Sequence, residues 1–237
     1  MRVTHEPEMR VLLGVLHTTP LLCSVIGAEL QAARLPLEPV HLVDEGLLRL
    51  AVKSGTTEEL LERVAAQCGF LVDSGATAIL VSCSSLGPAV ALLRPQVSYR
   101  IFRIDEPMAK EAIALGRRIG VVATIASALR PMVELLETTA AVTGASVKVT
   151  ASLCEGAFES MRQGRLEEHD RQVQTAIADL AGLVDAIVLA QASMRRVLED
   201  GGLPVVDDVP VLSSLTSGVR QLAPFVEELA GSRHLAR

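Results

Sequence analysis

The sequence predicts an α/β protein built from two similar halves, and three observations support this prediction. Aliphatic residues dominate the chain, since 49% of its 237 residues are hydrophobic but only 2% are aromatic. Short aliphatic runs alternate with helix-like segments, which is typical of parallel strands covered by helices on both faces. One segment also occurs twice, because residues 78–85 (AILVSCSS) and residues 186–193 (AIVLAQAS) both end an aliphatic run in small polar residues.

A second pair of segments repeats at nearly the same distance. Cys83 and Gln191 are equivalent in the first pair and lie 108 residues apart. Gly14 and Gly120, in the segments GVLHT and GVVAT, lie 106 residues apart. Ligands of parallel α/β sheets bind beyond the carboxyl ends of the strands. We therefore expect a cleft between two halves of similar topology, with Cys83 on one side and Gln191 on the other.

In the first half, strands and helices alternate in order. Thr19-Pro20 supplies an N-cap followed by proline at the first helical position, so a helix begins after the first strand. Residues 56–59 (TTEE) have the character of a capping box and begin another helix. Asp44 and Glu45 follow the second strand, where they either form a solvated turn or direct a carboxylate to the cleft. The predicted strands cover residues 10–16, 40–43, 77–82 and 99–104, and the predicted helices begin at residues 20, 56 and 85.

The second half repeats this alternation. Gly144 is the expected C-cap of a helix that begins at Ser127. The predicted strands cover residues 119–123, 147–151 and 186–190, and the predicted helices cover 106–116, 127–142, 166–182 and 213–231. A short returning segment is expected over 204–212. We expect the closing helix to return to the first half. This gives a first domain over residues 1–104 plus 213–237 and a second domain over residues 105–212.

Composition and charge argue against several classes of protein. A net charge of −6 and the scarcity of aromatic residues disfavour binding of a nucleic-acid backbone and stacking on bases. No apolar stretch reaches the roughly 18 residues that a membrane span requires. The charged N-terminal segment with Pro7 does not resemble a signal peptide. We therefore expect a cytosolic protein whose four cysteines are reduced.

The sequence contains no motif for a metal or a cofactor. Its five histidines are scattered without a His-x-x-x-His pair, and its cysteines lack CxxC spacing. Neither a GxGxxG segment nor a P-loop occurs. The three lysines offer little basis for a pyridoxal Schiff base. We therefore expect no metal site and no cofactor, with the chemistry performed by side chains alone.

Cys83 is the main candidate for a reactive group, because it ends a strand at the repeated position. A thiol at a helix N-terminus is expected to have a lowered pKa. His17 and Cys154 also follow strands, and each is either structural or a second proton carrier. Cys23 and Cys68 lie in helix-like segments and are interpreted as buried, inert thiols. Arg195 and Arg196 either form a solvated helix face or provide a partner for an anionic substrate.

The order of these segments resembles the aspartate/glutamate racemase superfamily, which includes aspartate, glutamate and hydantoin racemases, maleate isomerase and arylmalonate decarboxylase. The resemblance rests on VSCSS over 81–85, IGVVAT over 119–124 and VLAQAS over 188–193, and it covers nearly the whole chain. It implies two pseudo-symmetric flavodoxin-like domains with an active-site cleft between them, a cofactor-independent reaction next to a carboxylate, and a homodimer. Gln191 stands where the family usually has its second cysteine.

The resemblance also implies roles for the residues at the strand ends. Cys83 would carry a proton as thiol and thiolate. The substrate carboxylate would be bound by Thr18, Thr19, Ser84, Ser85, Thr124, Gln191, Ala192 and Ser193. Since Gln191 cannot exchange a proton at neutral pH, three hypotheses remain open. They are a racemase or isomerase with another second base, a single-cysteine decarboxylase or cis–trans isomerase of a small dicarboxylate, and a non-catalytic protein that binds a small acid.

Overall fold

The structure is a computed structural model, and it describes residues 11–198 and 205–234. The first half contains a sheet of four parallel strands in the order β2-β1-β3-β4. Its strands are β1 (Val11–His17), β2 (Leu37–Val43), β3 (Ala78–Val81) and β4 (Arg100–Arg103). Its helices are α1 (Leu21–Ala33), α2 (Glu45–Ser54), α3 (Glu58–Asp73) and α4 (Gly87–Leu93), with a 3₁₀ turn over Ser84–Leu86 after β3.

The second half contains four parallel strands in the order β6-β5-β7-β9, with the short strand β8 antiparallel to β9. The strands are β5 (Arg118–Ala123), β6 (Lys148–Leu153), β7 (Ala186–Leu189), β8 (Val205–Val206) and β9 (Val209–Ser213). The helices are α5 (Glu106–Leu115), α6 (Ala126–Thr143), α7 (Ala157–Arg162) and α8 (Leu166–Ala181), followed by α9 (Ser214–Arg220) and α10 (Ala223–His234). None of the helices in the described ranges has an apolar stretch long enough to cross a bilayer.

The two sheets have the same strand order, which confirms the prediction of two similar α/β halves. Gly14 of β1 is aligned with Ile79 of β3, and Gly120 of β5 is aligned with Ile187 of β7. A Cβ atom on Gly14 would lie 2.7 Å from Ile79 Cδ1, and one on Gly120 would lie 3.3 Å from Ile187 Cγ1. Each glycine therefore leaves room for the isoleucine of the neighbouring strand, which is the physical reason for the repeated pattern.

The cores lie on both faces of each sheet and are aliphatic. On one face of the first sheet, Leu13 and Val15 of β1 pack in a buried cluster with residues of α1. The same cluster contains Leu215, Val219 and Phe225 from α9 and α10. The chain therefore leaves the second sheet after β9 and returns to cover the first sheet with its last two helices.

The structure differs from the sequence prediction after β2, where a helix begins instead of a solvated turn. Asp44 is the N-cap of α2, because its carboxylate accepts a hydrogen bond from the N–H of Gly46 at 2.9 Å. The same carboxylate also accepts a hydrogen bond from Arg63 Nε at 2.8 Å. The predicted closing helix is divided into α9 and α10. Pro224, near the start of α10, lacks the N–H that a continuous helix would need at that position.

Candidate active site

The carboxyl ends of the parallel strands of both halves meet at one cavity of about 380 Å³. Cys83 and Gln191 both line this cavity. Two contacts join the halves beside it, since the Ser84 hydroxyl donates to the carbonyl of Ala190 at 2.7 Å and the hydroxyls of Ser85 and Ser127 lie 3.1 Å apart. The arrangement follows from the parallel strands, which bring distant polar residues to the same edge of each sheet.

Cys83 is partly buried at the start of the 3₁₀ turn that follows β3. Burial raises the pKa of its thiol above the ordinary value, although four hydrogen bonds act in the opposite direction. These bonds come from the hydroxyl of Thr18, from the N–H and hydroxyl of Ser85, and from the N–H of Leu86. The expectation of a lowered pKa was therefore wrong, because loss of solvent around the sulfur outweighs the hydrogen-bond donors of the turn.

Gln191 occupies the equivalent place in the second half, with a partner that mirrors the partner of Cys83. Its amide Oε1 accepts hydrogen bonds from the N–H of Thr124 at 2.7 Å and from the hydroxyl of Thr124 at 2.9 Å. Thr18 and Thr124 lie 106 residues apart, the same separation as Gly14 and Gly120. In each half, a threonine that follows the first strand therefore binds the residue that follows the third strand.

The structure places most of the predicted binding residues around the cavity and separates the other two candidates for proton transfer from it. The predicted residues that line the cavity are Thr18, Thr19, Ser84, Ser85, Gln191, Ala192 and Ser193. Thr124 does not line the cavity but donates two hydrogen bonds to Gln191, which does. Cys154 is in the core cluster beside α8, with its thiol 3.7 Å from the carbonyl oxygen of Gln172.

His17 is fully buried behind the cavity wall. Its Nε2 lies 2.7 Å from Nδ1 of His41, and its Nδ1 lies 2.9 Å from the hydroxyl of Ser82, which does line the cavity. Burial, followed by the repulsion of His41, lowers the pKa of His17 to about 4. Its ring is therefore neutral at neutral pH.

Both arginines after Gln191 are engaged in ion pairs away from the cavity. Arg195 Nη1 lies 2.6 Å from Glu29 of α1, and Arg196 Nε lies 2.8 Å from Asp170 of α8. The interpretation of a purely solvated face was therefore wrong, since each guanidinium connects two elements.

Side chains of α2 and α7 also line the cavity, and among them the sequence analysis considered only Glu45. Glu45, Arg49 and Lys53 are spaced four residues apart on one face of α2. Phe158 and Arg162 are spaced in the same way on α7. Of the two interpretations left open for Asp44 and Glu45, the structure supports a carboxylate at the cleft, since Glu45 lines the cavity while Asp44 caps α2. The three cations and one carboxylate give this rim of the cavity an excess of positive charge.

Residues 28–222 match the model of a family described as Asp/Glu/Hydantoin racemase. The chain belongs to this family. It is therefore an enzyme of the racemase/isomerase class. Because the match covers both halves, the pseudo-symmetric repeats, the strand order and the cavity between the sheets are explained together. A search of curated proteins gives no significant match.

Solved structures of racemases share the fold along nearly the whole chain. Glutamate racemase from Bacillus anthracis superimposes with a TM-score of 0.67 at 19% identity, over 92% of this chain and 82% of the other. Aspartate racemase from Picrophilus torridus gives a TM-score of 0.66 at 12% identity, over 92% and 94% of the two chains. Allantoin racemase from Klebsiella pneumoniae gives 0.62 at 16% identity, over 93% and 88%.

Proposed function

We propose that Cys83 transfers the proton in this enzyme, at the carbon next to the carboxylate of a small amino acid or related acid. The observation that carries the proposal is the place of Cys83 on the cavity wall, at the end of β3. Among the residues that line the cavity, Cys83 is the one with a thiol. Carbon–hydrogen cleavage next to a carboxylate requires a base that can reach the carbon, and a thiolate meets this requirement.

In the proposed step, the Cys83 thiolate takes the proton and the electron pair of the C–H bond moves onto the carboxylate, which becomes an enediolate. The raised pKa of the thiol makes the thiolate a stronger base once it has formed. Positive charge on the cavity rim from Arg49, Lys53 and Arg162 attracts the anionic substrate and favours the additional charge of the enediolate.

On the opposite face of the substrate α-carbon, the repeat places Gln191 where a second proton carrier would be needed. Gln191 has no proton to exchange at neutral pH, and Thr124 already engages its amide oxygen. If Cys83 returned the proton to the same face, the original configuration would be restored. Inversion therefore needs a second carrier, and Glu45 is the carboxyl group among the residues that line the cavity.

The amide of Gln191 favours a second candidate function, which is single-thiol chemistry on a small dicarboxylate. In a decarboxylation, the carbon–carbon bond to one carboxylate breaks and CO₂ leaves. The electron pair of that bond stays on the α-carbon, and the Cys83 thiol protonates the resulting carbanion. In a cis–trans isomerisation, the thiolate adds to a double bond and is expelled after rotation about the resulting single bond. A thiol that is neutral at neutral pH suits the decarboxylation in particular.

Proton exchange in D₂O tests the proposal directly. A panel of amino acids, hydantoins, maleate and substituted malonates would be followed by NMR with the wild type, Cys83→Ala and Glu45→Gln. We expect Cys83→Ala to abolish conversion of the active compound. Loss of inversion in Glu45→Gln, with exchange of one enantiomer retained, would identify the second carrier. Release of CO₂ or one-way isomerisation without exchange would identify single-thiol chemistry.

Cys154→Ala is the matched control for loss of a thiol, because Cys154 lies in the core beside α8. We expect this variant to retain the activity of the wild type. Exchange that survives in Cys83→Ala would remove Cys83 from the mechanism. Tight binding of one compound without turnover of any of them would instead indicate a binding protein.

A further inference from the structure

Outside the cavity, three side chains that commonly bind metals meet between β1, β2 and α1. They are His17 at the end of β1, Cys23 in the first turn of α1 and His41 in β2. One ligand atom from each side chain lies within 4.8 Å of the other two. The two imidazoles are stacked, with ring centroids 5.0 Å apart. The three side chains therefore bring their ligand atoms together in one place, where the two imidazoles are hydrogen-bonded to each other through His17 Nε2 and His41 Nδ1.

The orientation of His17 is determined by a partner on its far side. The Ser82 hydroxyl donates to the carbonyl of Leu16 at 3.1 Å, so it accepts a hydrogen bond from His17 Nδ1–H at 2.9 Å. Nε2 of His17 consequently carries a lone pair and accepts from His41 Nδ1–H at 2.7 Å. A ligating histidine in metalloproteins is usually held by a hydrogen bond of this kind to its other ring nitrogen.

The cluster is partly accessible to solvent. Cys23 and His41 are partly exposed, while His17 is fully buried. One turn after Cys23, helix α1 has Gly27, where a Cβ atom would lie 3.9 Å from His41 Nε2. Because this position has no side chain, α1 leaves this edge of the His41 ring uncovered. An ion can enter from the exposed side of the cluster, at the edge strand β2 of the sheet.

We propose that His17, Cys23 and His41 bind a borderline-soft divalent metal ion such as Zn²⁺, with a water molecule as the fourth ligand. Two nitrogens and one thiolate are a donor set that Zn²⁺ prefers, and three protein ligands leave one position open. On binding, the Cys23 thiol releases its proton to solvent. The proton on His41 Nδ1 moves through solvent to Nε2 of the same ring, so that Nδ1 can bind the ion.

The required movement is small. Bonds of about 2.0–2.1 Å from zinc to nitrogen in a tetrahedral site imply nitrogen atoms about 3.3 Å apart. The present separation of 2.7 Å between His17 Nε2 and His41 Nδ1 must therefore increase, and the sulfur must approach. Rotation of the partly exposed side chains of His41 and Cys23 provides both changes. The site does not depend on the proton transfer proposed for Cys83.

Titration with Co²⁺ tests this site, because a cobalt–thiolate bond produces a charge-transfer absorption in the near ultraviolet and a tetrahedral site produces strong visible bands. We expect both signals in the wild type and in Cys83→Ala, and their loss in Cys23→Ala. His41→Asn should weaken Zn²⁺ binding by at least about 100-fold, since loss of an outer-shell partner alone costs 10–100-fold. Cys68→Ala is the matched control, because Cys68 belongs to α3 and is buried in the core away from the cluster.

X-ray absorption at the zinc edge of the wild type gives a second measurement that does not depend on any variant. We expect one sulfur and two imidazole nitrogens around the ion. Absence of the cobalt–thiolate band at saturating Co²⁺ would overturn the proposal. A band that disappears in Cys83→Ala but persists in Cys23→Ala would also overturn it, since it would place the ion in the cavity.

Discussion

Removal of the Asp105 carboxylate should destabilise the protein far more than removal of an exposed acidic group. Arg103 at the end of β4 donates two hydrogen bonds to Asp105, at 3.0 and 2.9 Å. The two side chains are only 8% and 1% exposed. Burial alone would lower the pKa of Arg103, but the charge and hydrogen bonds of Asp105 outweigh burial and raise it. Asp105→Ala therefore leaves a charged guanidinium buried without its partner.

Breaking a buried ion pair from one side costs about 3–5 kcal/mol. Urea denaturation with fluorescence or circular dichroism would measure this free energy of unfolding. With a slope of about 3 kcal/mol per M urea, the midpoint should fall by about 1–2 M. The guanidinium also packs on Gly87, where a Cβ atom would clash with it. The charge of Glu106 acts on Arg103 as well, but the two hydrogen bonds come from Asp105 alone.

Two control variants make the test specific. Glu168→Ala removes one member of an exposed pair, in which Arg165 and Glu168 are 52% and 43% exposed, and it should cost less than about 1 kcal/mol. The double variant Arg103→Met with Asp105→Leu should recover most of the loss, because apolar residues of similar volume need no ionic partner. If Asp105→Ala cost no more than Glu168→Ala, the reasoning from burial would be refuted.

Three further predictions concern the cavity and the repeated glycine. Alkylation of Cys83 by iodoacetamide, measured against pH, should reach half its maximal rate above the ordinary thiol pKa of about 8.5, because burial raises the pKa; a midpoint below 8 would contradict this. Gln191→Cys should accept the hydrogen bonds of Thr124 and increase exchange of the α-proton by about 10²–10⁴-fold, which NMR in D₂O would measure; unchanged exchange despite a reactive new thiol would count against the mirrored site. Gly14→Ala should destabilise by about 1–3 kcal/mol through overpacking, whereas Gly69→Ala, with no atom near its Cβ position, should stabilise by up to about 1 kcal/mol in urea denaturation.

Much of the fold could be predicted because its signals are local. Aliphatic runs and caps such as Thr57, whose hydroxyl accepts from the N–H of Leu60 at 3.2 Å, depend on neighbours within a few residues. Helix α2 was missed because Asp44 serves equally well in a turn and as an N-cap. The position of the Asp44 carboxylate also depends on a hydrogen bond from Arg63, which lies 19 residues further along the chain.

The candidate site could be predicted only in part. The repeat placed Cys83 and Gln191 in equivalent positions, since both follow the third strand of their halves. The local pattern did not indicate that α2 and α7 also line the cavity, because which helix face is turned inward depends on packing between elements. It also did not indicate the metal-binding cluster, because His17, Cys23 and His41 come from three elements and have no motif spacing.

The sequence by itself therefore determined the two α/β halves, the alternation of strands and helices in each and the thiol at one strand end, since each of these depends on periodicity and on an internal repeat. The tertiary structure alone decided the chemical state of these groups. Burial raises the pKa of Cys83 against four hydrogen-bond donors, and Thr124 engages the amide oxygen of Gln191 from 67 residues away. Solvent exclusion and long-range hydrogen bonds depend on the packed chain, and no local pattern of residues encodes them.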